Sequence, residues 1–405
     1  MQTCKSGSLD LHSVETFRDL QSETTAWRRY LHENPELDYR LSKTARFVTE
    51  KLASFGINRI ETGIAETGIV ALIQGKDGDG PTIGLRADMD ALPILEASNK
   101  PWSSKITGNM HACGHDGHTA MLLGAAKYLA ETRNFKGSVA LIFQPSEEVT
   151  PSGAQRMVQE GIMDRFGISK VFGMHNRPGM EIGEFGICHG AMMASQDDFD
   201  LIVKGKGGHA ARPQDTIDPV VIAAQIILGL QTLVSRNTNP LDSLVISVTK
   251  LSGSQAYNVI SDQVEMSGTV RTVTPGLRDF AERQILASAQ GIARGFGAEV
   301  EYKYYRSVPV TVNHAEETDL AIAASRSLVG NSSVDDKLRV TMGAEDFGYM
   351  LKARPGAFIF IGNGPTASLH NAAYDFNDEA IPYGIGYWVN LVEMALAALK
   401  ESEVL

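Results

Sequence analysis

The sequence predicts an α/β fold in two pieces. One is a discontinuous larger domain with a mixed, mostly parallel sheet covered by helices; the other is an inserted ferredoxin-like α+β domain. Three observations carry this. Short continuous apolar runs (69–73, 82–85, 139–143) alternate with helical segments, as in sheets buried on both faces. Near residue 195 the order changes to strand–helix–strand–strand–helix–strand, the ferredoxin-like arrangement. After residue 310 the helix/strand alternation resumes. The expected boundaries are 1–194 and 308–405 for the larger domain and 195–307 for the insertion. A chain of 405 residues is too long for one ordinary domain and suits two, and a hydrophobic share of 43% supplies the cores.

Each element has its own signal. Val14, Phe17, Leu20, Trp27 and Leu31 recur at helical spacing, and Pro35 ends that helix. A second helix is expected from Ser42 as N-cap, with Ala45, Val48, Leu52 and Phe55 on one face and Gly56 as its stop. Residues 118–130 read as the helix between the strands 82–85 and 138–143. Residues 171–174 read as a strand ending at His175, residues 358–361 as another, and 387–399 as a closing helix. In the insertion, 198–204, 244–251, 264–273 and 300–305 read as strands, and 219–234 and 277–296 as helices.

Composition excludes some functions. A net charge of −11, with no long Lys/Arg run, argues against nucleic acid as a partner. The cysteines Cys4, Cys113 and Cys188 are too few and too scattered for a disulfide framework, so a reducing, cytoplasmic setting is expected. The first residues hold no apolar leader run, and no stretch reaches the ~18 uncharged apolar residues of a membrane span.

The chemistry concentrates in His111-Ala-Cys113-Gly-His115-Asp116-Gly-His118 and in Gln144-Pro-Ser-Glu147-Glu148. Imidazole, thiolate and carboxylate are the usual protein ligands of zinc and similar ions. A lone cysteine is commonly a small buried hydrophobe, but three histidines within five positions of Cys113, in a glycine-broken turn, favour metal ligation. Paired acids are usually solvated surface; here Pro145 and the preceding strand aim Glu147 and Glu148 at the carboxyl edge of a sheet, where ligands collect. One carboxylate can bind metal while its neighbour moves a proton. His175 and His370 could each be structural histidines, yet both fall at expected strand exits. Asp88 and Asp90, two apart after a strand, share one face and can orient metal-bound histidines or simply form a turn. Gly205-Lys-Gly-Gly-His209-Ala fits a loose dinucleotide pattern, but no helix is expected to start there, which leaves His209 as a polar finger on a glycine loop. Neither a nucleophile elbow nor a P-loop is present.

These residues also form a family pattern. LHENPEL (31–37), RADMDALP (86–93), HACGHDGHTAMLLGAA (111–126), FQPSEE (143–148), GMHN (173–176), GKGGHAARP (205–213), NVISD (258–262), GTVRT (268–272), GAEDF (343–347) and LHNAAYDFND (369–378) resemble the aminoacylase/carboxypeptidase family of di-metal peptidases. Within it they are most similar to the branch of hippurate hydrolase, N-acyl-amino-acid amidohydrolases and hydrolases of indole-acetyl amino acids. Ser261 departs from the branch's usual proline, and Ser146 from a common alanine.

The resemblance implies two divalent ions, zinc or manganese with cobalt or nickel also fitting. Cys113 would bridge them, with His115, Glu148, His175 and His370 as the other ligands. It implies Glu147 as general base and acid, His209 as the small-domain group steadying the oxyanion, and Asn258 and Arg271 as the grip on the substrate's carboxylate. Asp90 is placed with the catalytic residues. The expected enzyme is a metal-dependent amidohydrolase of N-acyl-L-amino acids, a small-molecule enzyme with no nucleic-acid or membrane partner. The resemblance makes the insertion a lid and a homodimer contact. A dipeptidase or carboxypeptidase is the rival within hydrolysis; a non-catalytic metal- or ligand-binding protein is the rival outside it, disfavoured by the spare carboxylate of Glu147.

Overall fold

The computed structural model describes residues 11–254 and 256–402. Cys4 and residues 1–10 of the expected leader-free N-terminus lie outside the described residues. The chain divides into two compact units. The large one comprises Met1–Gly190, Val312–Arg339 and Tyr349–Leu405; the small one comprises Ala191–Thr311 and Val340–Gly348. The segment Val340–Gly348, which follows the insertion in sequence, therefore belongs with the small unit.

The large unit is built on an eight-stranded sheet, in the order Arg59–Ile64, Gly68–Gln74, Ser138–Gln144, Thr82–Asp88, Ile168–Arg177, Gly356–Gly362, Phe185–Gly186, Val334–Asp335. The four central strands, Ser138–Gln144 to Gly356–Gly362, pair in parallel, and antiparallel pairs flank them. The sheet is thus mixed and mostly parallel, as its apolar runs predict. Every residue of Thr82–Asp88 and Gly356–Gly362 is buried, which is why these strands read as continuous apolar runs. The edge strand Arg59–Ile64 escapes sequence reading because it is largely exposed and has no apolar period. His175 is not at a strand exit: the strand runs two residues further, to Arg177.

The helices Arg18–Glu33, His115–Thr132 and Ile381–Ser402 pack on one another. The helix Ser42–Ser54 begins at Ser42, but Ser42 is not its cap. The Glu36 carboxylate instead accepts the Lys43 and Thr44 amides at 3.2 and 2.8 Å, an anion at a helix N-terminus.

The small unit has a four-stranded antiparallel sheet in the order Leu244–Ser252, Gln263–Thr272, Ser195–Lys204, Glu299–Val308. With the helices Pro219–Asn237 and Pro275–Gly295 this is the ferredoxin-like order. Strict alternation of burial along Ser195–Lys204 sends Phe199, Leu201 and Val203 into a core with Ile222, Ile226, Ile285 and Ala289 of the two helices. Pro219–Asn237 is long and apolar enough to cross a membrane by length and composition, a departure from the expectation that no stretch reaches that mark. Its Ile222, Ala223, Ile226, Leu230 and Leu233 are nevertheless buried in the small-unit core.

Candidate active site

The helix His115–Thr132 starts abruptly because Gly114 takes a left-handed φ of 92°. A Cβ at Gly114 would lie 2.2 Å from Asn176 Nδ2 and 2.6 Å from the Tyr374 hydroxyl, so only glycine fits. The turn leaves Cys113 just before the helix and His115 and His118 in its first turn, all three buried. Ser146 (φ 56°) and His370 (φ 63°) are also left-handed without being glycine. They precede Glu147 and carry a candidate ligand respectively, and such strain gathers at functional sites. The His370 amide donates to the Ala112 carbonyl at 2.8 Å, which ties its loop to the Cys113 turn.

The five expected ligands converge. Ligand atoms of Cys113, His115 and His175 lie within 4.8 Å of one another, and so do those of Cys113, Glu148 and His370. Cys113 Sγ is common to both triads. Glu147 joins His115 and Glu148 in a third group of the same span. Cys113 Sγ is 3.4 Å from His175 Nε2, and Glu148 Oε1 is 3.1 Å from His370 Nε2.

The tautomers suit cation binding. His115 Nδ1–H donates to the Asp90 carbonyl at 2.8 Å, and His175 Nδ1–H to the Asn176 carbonyl at 2.7 Å. Each histidine therefore directs its Nε2 at the cluster, and among the described residues His115 Nε2 is buried with no hydrogen-bond partner. His118 differs. Its Nε2 accepts the Asn176 amide at 2.9 Å and its Nδ1–H donates to Asp88 at 2.6 Å, so neither nitrogen is left for a metal although it lies in the same cluster.

The field of the cluster is negative. Burial pushes His115 down, but the charge of Asp88, the bond and charge of Asp90 and the charge of Glu148 raise it to about 10. Burial, then the charges of Glu148, Glu147 and Asp88, holds the Cys113 thiol well above its usual range. A divalent ion would reverse both effects, displacing a proton from the imidazole and from the thiol. The residues present thus fit a metal pair: soft sulfur, imidazole nitrogens turned to the cluster, a carboxylate and an excess of negative charge.

Asp90 sits in the cluster as a support. Its Oδ2 accepts the Glu148 amide at 3.1 Å, and its Oδ1 is 3.3 Å from His115 Nδ1. Asp88 is braced by Arg86 Nη1 at 2.8 Å, and Arg86 Nε donates to Gln144 at 2.9 Å.

Sequence reading did not single out several of the supports. Asn176 Nδ2 donates to the Cys113 carbonyl at 2.6 Å, and the Tyr374 hydroxyl donates to Asn176 Oδ1 at 2.8 Å. Buried His32 links Asp116 at 2.8 Å and Glu96 at 3.3 Å below the same turn. All but Glu96 lie inside the quoted motifs, but nothing in spacing reveals a buried partner from a distant segment. His111 is buried, neither ring nitrogen has a partner among the described residues, and burial holds its pKa down to about 3.

His209, Asn258 and Arg271 belong to the small unit. Gly208–His209 pairs antiparallel with Val259–Ile260, and the Ala210 amide donates to the Asn258 carbonyl at 3.1 Å, so His209 and Asn258 are neighbours. His209 is exposed, and no helix starts at its loop; a 3-10 turn, Pro213–Asp215, follows instead. Arg271 lies on Gln263–Thr272 opposite Gln196 and Val245.

The chain resembles known enzymes over nearly its whole length. It is 40% identical over 374 residues to the N-acetylcysteine deacetylase of Bacillus subtilis, covering 92% of this chain and 97% of that one. It is 39% identical over 390 residues to the hippurate hydrolase of Campylobacter jejuni, covering 96% and 100%. The crystal structure of the Bacillus subtilis YXEP protein, described as a dinuclear metal binding peptidase, superposes with a TM-score of 0.83 at 35% identity, covering 95% of this chain and 99% of that one. Residues 84–394 match the model of peptidase family M20/M25/M40, and the chain belongs to that family.

Proposed function

We propose that this enzyme hydrolyses the amide bond of N-acyl-L-amino acids, releasing a carboxylic acid and a free amino acid. The observation that carries the reading is the Cys113 sulfur common to two ligand triads, with Glu147 in the adjoining group. Cys113, His115, Glu148, His175 and His370 would hold two divalent ions, zinc or manganese, with cobalt or nickel also accommodated by a mixed S/N/O shell. Bound there, the ions supply Lewis acidity that makes a water nucleophilic near neutral pH and polarises the scissile carbonyl.

The chain's own groups do the rest. Glu147 takes the proton of the attacking water and returns it to the leaving amine. Asp90 acts as a positioning residue, fixing the Glu148 backbone and the His115 ring through the bonds described above. His209 steadies the developing oxyanion, and Arg271 with Asn258 grips the substrate's α-carboxylate, a planar fork meeting a planar anion. All three belong to the small unit, which we assign as a lid.

We also assign this unit to a homodimer contact with a second copy of the chain. Val220, Val221 and Leu228 of Pro219–Asn237 are exposed, as are Val245 and Leu251 on the edge strand Leu244–Ser252. An uncovered apolar edge strand invites pairing. A free thiol kept for metal suits a reducing cytoplasm.

The test is a panel of N-acetyl, N-benzoyl and indole-acetyl amino acids run beside dipeptides on metal-reconstituted enzyme. Faster turnover of the N-acyl amino acids supports the reading; faster turnover of dipeptides transfers it to the dipeptidase rival.

A further inference from the structure

The chemistry above needs Glu147 at a fixed place, yet Glu147 stands on a loop. The strand Ser138–Gln144 ends before it, and the helix Gly153–Gln159 begins after it. A side chain on a loop is placed only as well as the loop is held. Three bonds brace this one. At its neck the Gly153 amide donates to the Ser146 carbonyl at 2.8 Å. A Cβ at Gly153 would lie 1.6 Å from the Pro145 carbonyl oxygen, so the two ends meet only on glycine. Further along, the Glu148 amide donates to Asp90 Oδ2 at 3.1 Å. At the exposed end the Tyr39 hydroxyl donates to the Pro151 carbonyl at 2.6 Å.

Tyr39 follows the LHENPEL segment and has no part in the chemistry above. It is itself held in three ways. The guanidinium carbon of Arg156, on the helix that closes the loop, lies 4.4 Å from the centre of its ring. Arg156 is fixed there by donating from Nη1 to Glu66 at 2.7 Å. The Tyr39 carbonyl accepts the Thr67 hydroxyl at 3.0 Å. Hydroxyl, ring and backbone of one residue thus meet three separate segments. None of these partners is a candidate ligand. Asp90 differs, because it braces His115 as well as the loop.

We propose that Tyr39 is a positioning residue for the proton transfer: through Pro151 it fixes the loop that carries Glu147, and so sets the reach of that carboxylate. This rests on the amide-hydrolase reading above, in which Glu147 moves the proton. Glu148 shares the loop, but its amide is tied to Asp90 independently of Tyr39. Losing the outer bond therefore falls on the base before it falls on metal binding. Tyr39 gives and takes no proton in the reaction. Its worth is geometric, and a shift of about 1 Å in a reacting group costs about 10²-fold in rate.

The experiment uses Tyr39→Phe, which removes one oxygen and keeps the ring. Amide hydrogen exchange across residues 146–152 should quicken by about tenfold in the metal-free variant relative to the metal-free parent. In the metal-reconstituted variant, kcat for an N-acetyl amino acid should fall by about 10- to 100-fold, with KM and metal content close to the parent values. In a Glu147→Gln background the same substitution should cost little more, because the group it places is gone. The proposal is overturned if exchange is unchanged, if kcat holds, if the loss appears in KM or in metal content instead, or if Tyr39→Phe costs the same factor with and without Glu147. A parent enzyme that hydrolyses no N-acyl amino acid would sink the amide-hydrolase reading beneath it, and the exchange rates would still decide whether Tyr39 holds the loop.

Discussion

The side-chain amide of Asn176 donates to the backbone carbonyl of Cys113 over 2.6 Å, and its oxygen is in turn held by the Tyr374 hydroxyl at 2.8 Å. The first bond fixes the turn that presents the thiol. The second fixes which way the amide faces, because a phenol donating to Asn176 Oδ1 leaves Nδ2 for the carbonyl. Tyr374 sits four residues beyond His370, so this short chain of bonds joins three ligand-bearing segments.

Asn176→Ala should therefore loosen the metal site without touching a ligand. Supports of this kind are worth about 10- to 100-fold in metal affinity. Competition with a chelator, followed by metal release, should show a loss of that order for Asn176→Ala and a smaller one for Tyr374→Phe. Unchanged release from both variants would mean that the turn holds itself.

Glu147→Gln separates holding metal from using it. The amide cannot accept the water's proton, so kcat should fall by about 10²- to 10⁴-fold, the usual worth of a positioned base. Metal content, read by elemental analysis, should stay close to the parent value because the five proposed ligands are untouched. Retained turnover would remove Glu147 from the role of base.

The network under the metal turn should make stability depend on pH. Burial lowers the pKa of His32, but the charge and bond of Asp116 and the bond to Glu96 raise it to about 9. Burial raises that of Glu96, but the bonds from His32, Ser98 and Ser104 lower it to about 2. The raised histidine contributes fully below its unfolded value near 6.5, and that contribution is lost as pH climbs through about 9. The lowered glutamate contributes fully above its unfolded value near 4.5, and that contribution is lost as pH falls through about 2. The pair therefore stabilises most between those unfolded values. His32→Gln should cost roughly 3–5 kcal/mol in that window, as breaking a buried pair does. The Tm gap between parent and variant should shrink from about pH 6.5 to pH 9; a constant gap would argue that His32 is neutral in the fold.

Arg271→Met should raise KM for N-acyl amino acids by about 10- to 100-fold, the worth of hydrogen bonds to a charged group. Substrates whose α-carboxylate is replaced by an amide should be nearly indifferent. Equal losses on both substrate types would show that Arg271 does not read the carboxylate. The neighbouring charges of Asp198 and Asp197 partly offset the burial that lowers its pKa, so the side chain stays a cation.

Much of the fold was legible because its signals are local. Apolar runs marked the buried central strands, alternation marked residues 198–204 of the strand Ser195–Lys204, and glycine and proline marked the ends. The candidate cluster was legible because chemistry-bearing residues fall in short motifs. What stayed hidden depends on contacts between distant segments. Arg59–Ile64 is an exposed edge strand whose pairing with Gly68–Gln74 leaves no apolar period. Glu36, six residues before Ser42, caps the second helix, and the serine itself does not. Asn176 and Tyr374 lay in plain view inside their motifs, but their partners are set by the packing of separate strands and loops. His118 shows the converse: its spacing suits a ligand, and only its two occupied ring nitrogens remove it.

The most direct measurement follows metal content and hydrolysis together as a chelator-stripped chain is given back zinc or manganese in steps. The account predicts no turnover of an N-acyl amino acid in the stripped chain, a rise that levels off at two ions per chain, and loss of that rise in Cys113→Ala. Full turnover by the stripped chain, or a Cys113→Ala variant that still binds both ions and works, would contradict it.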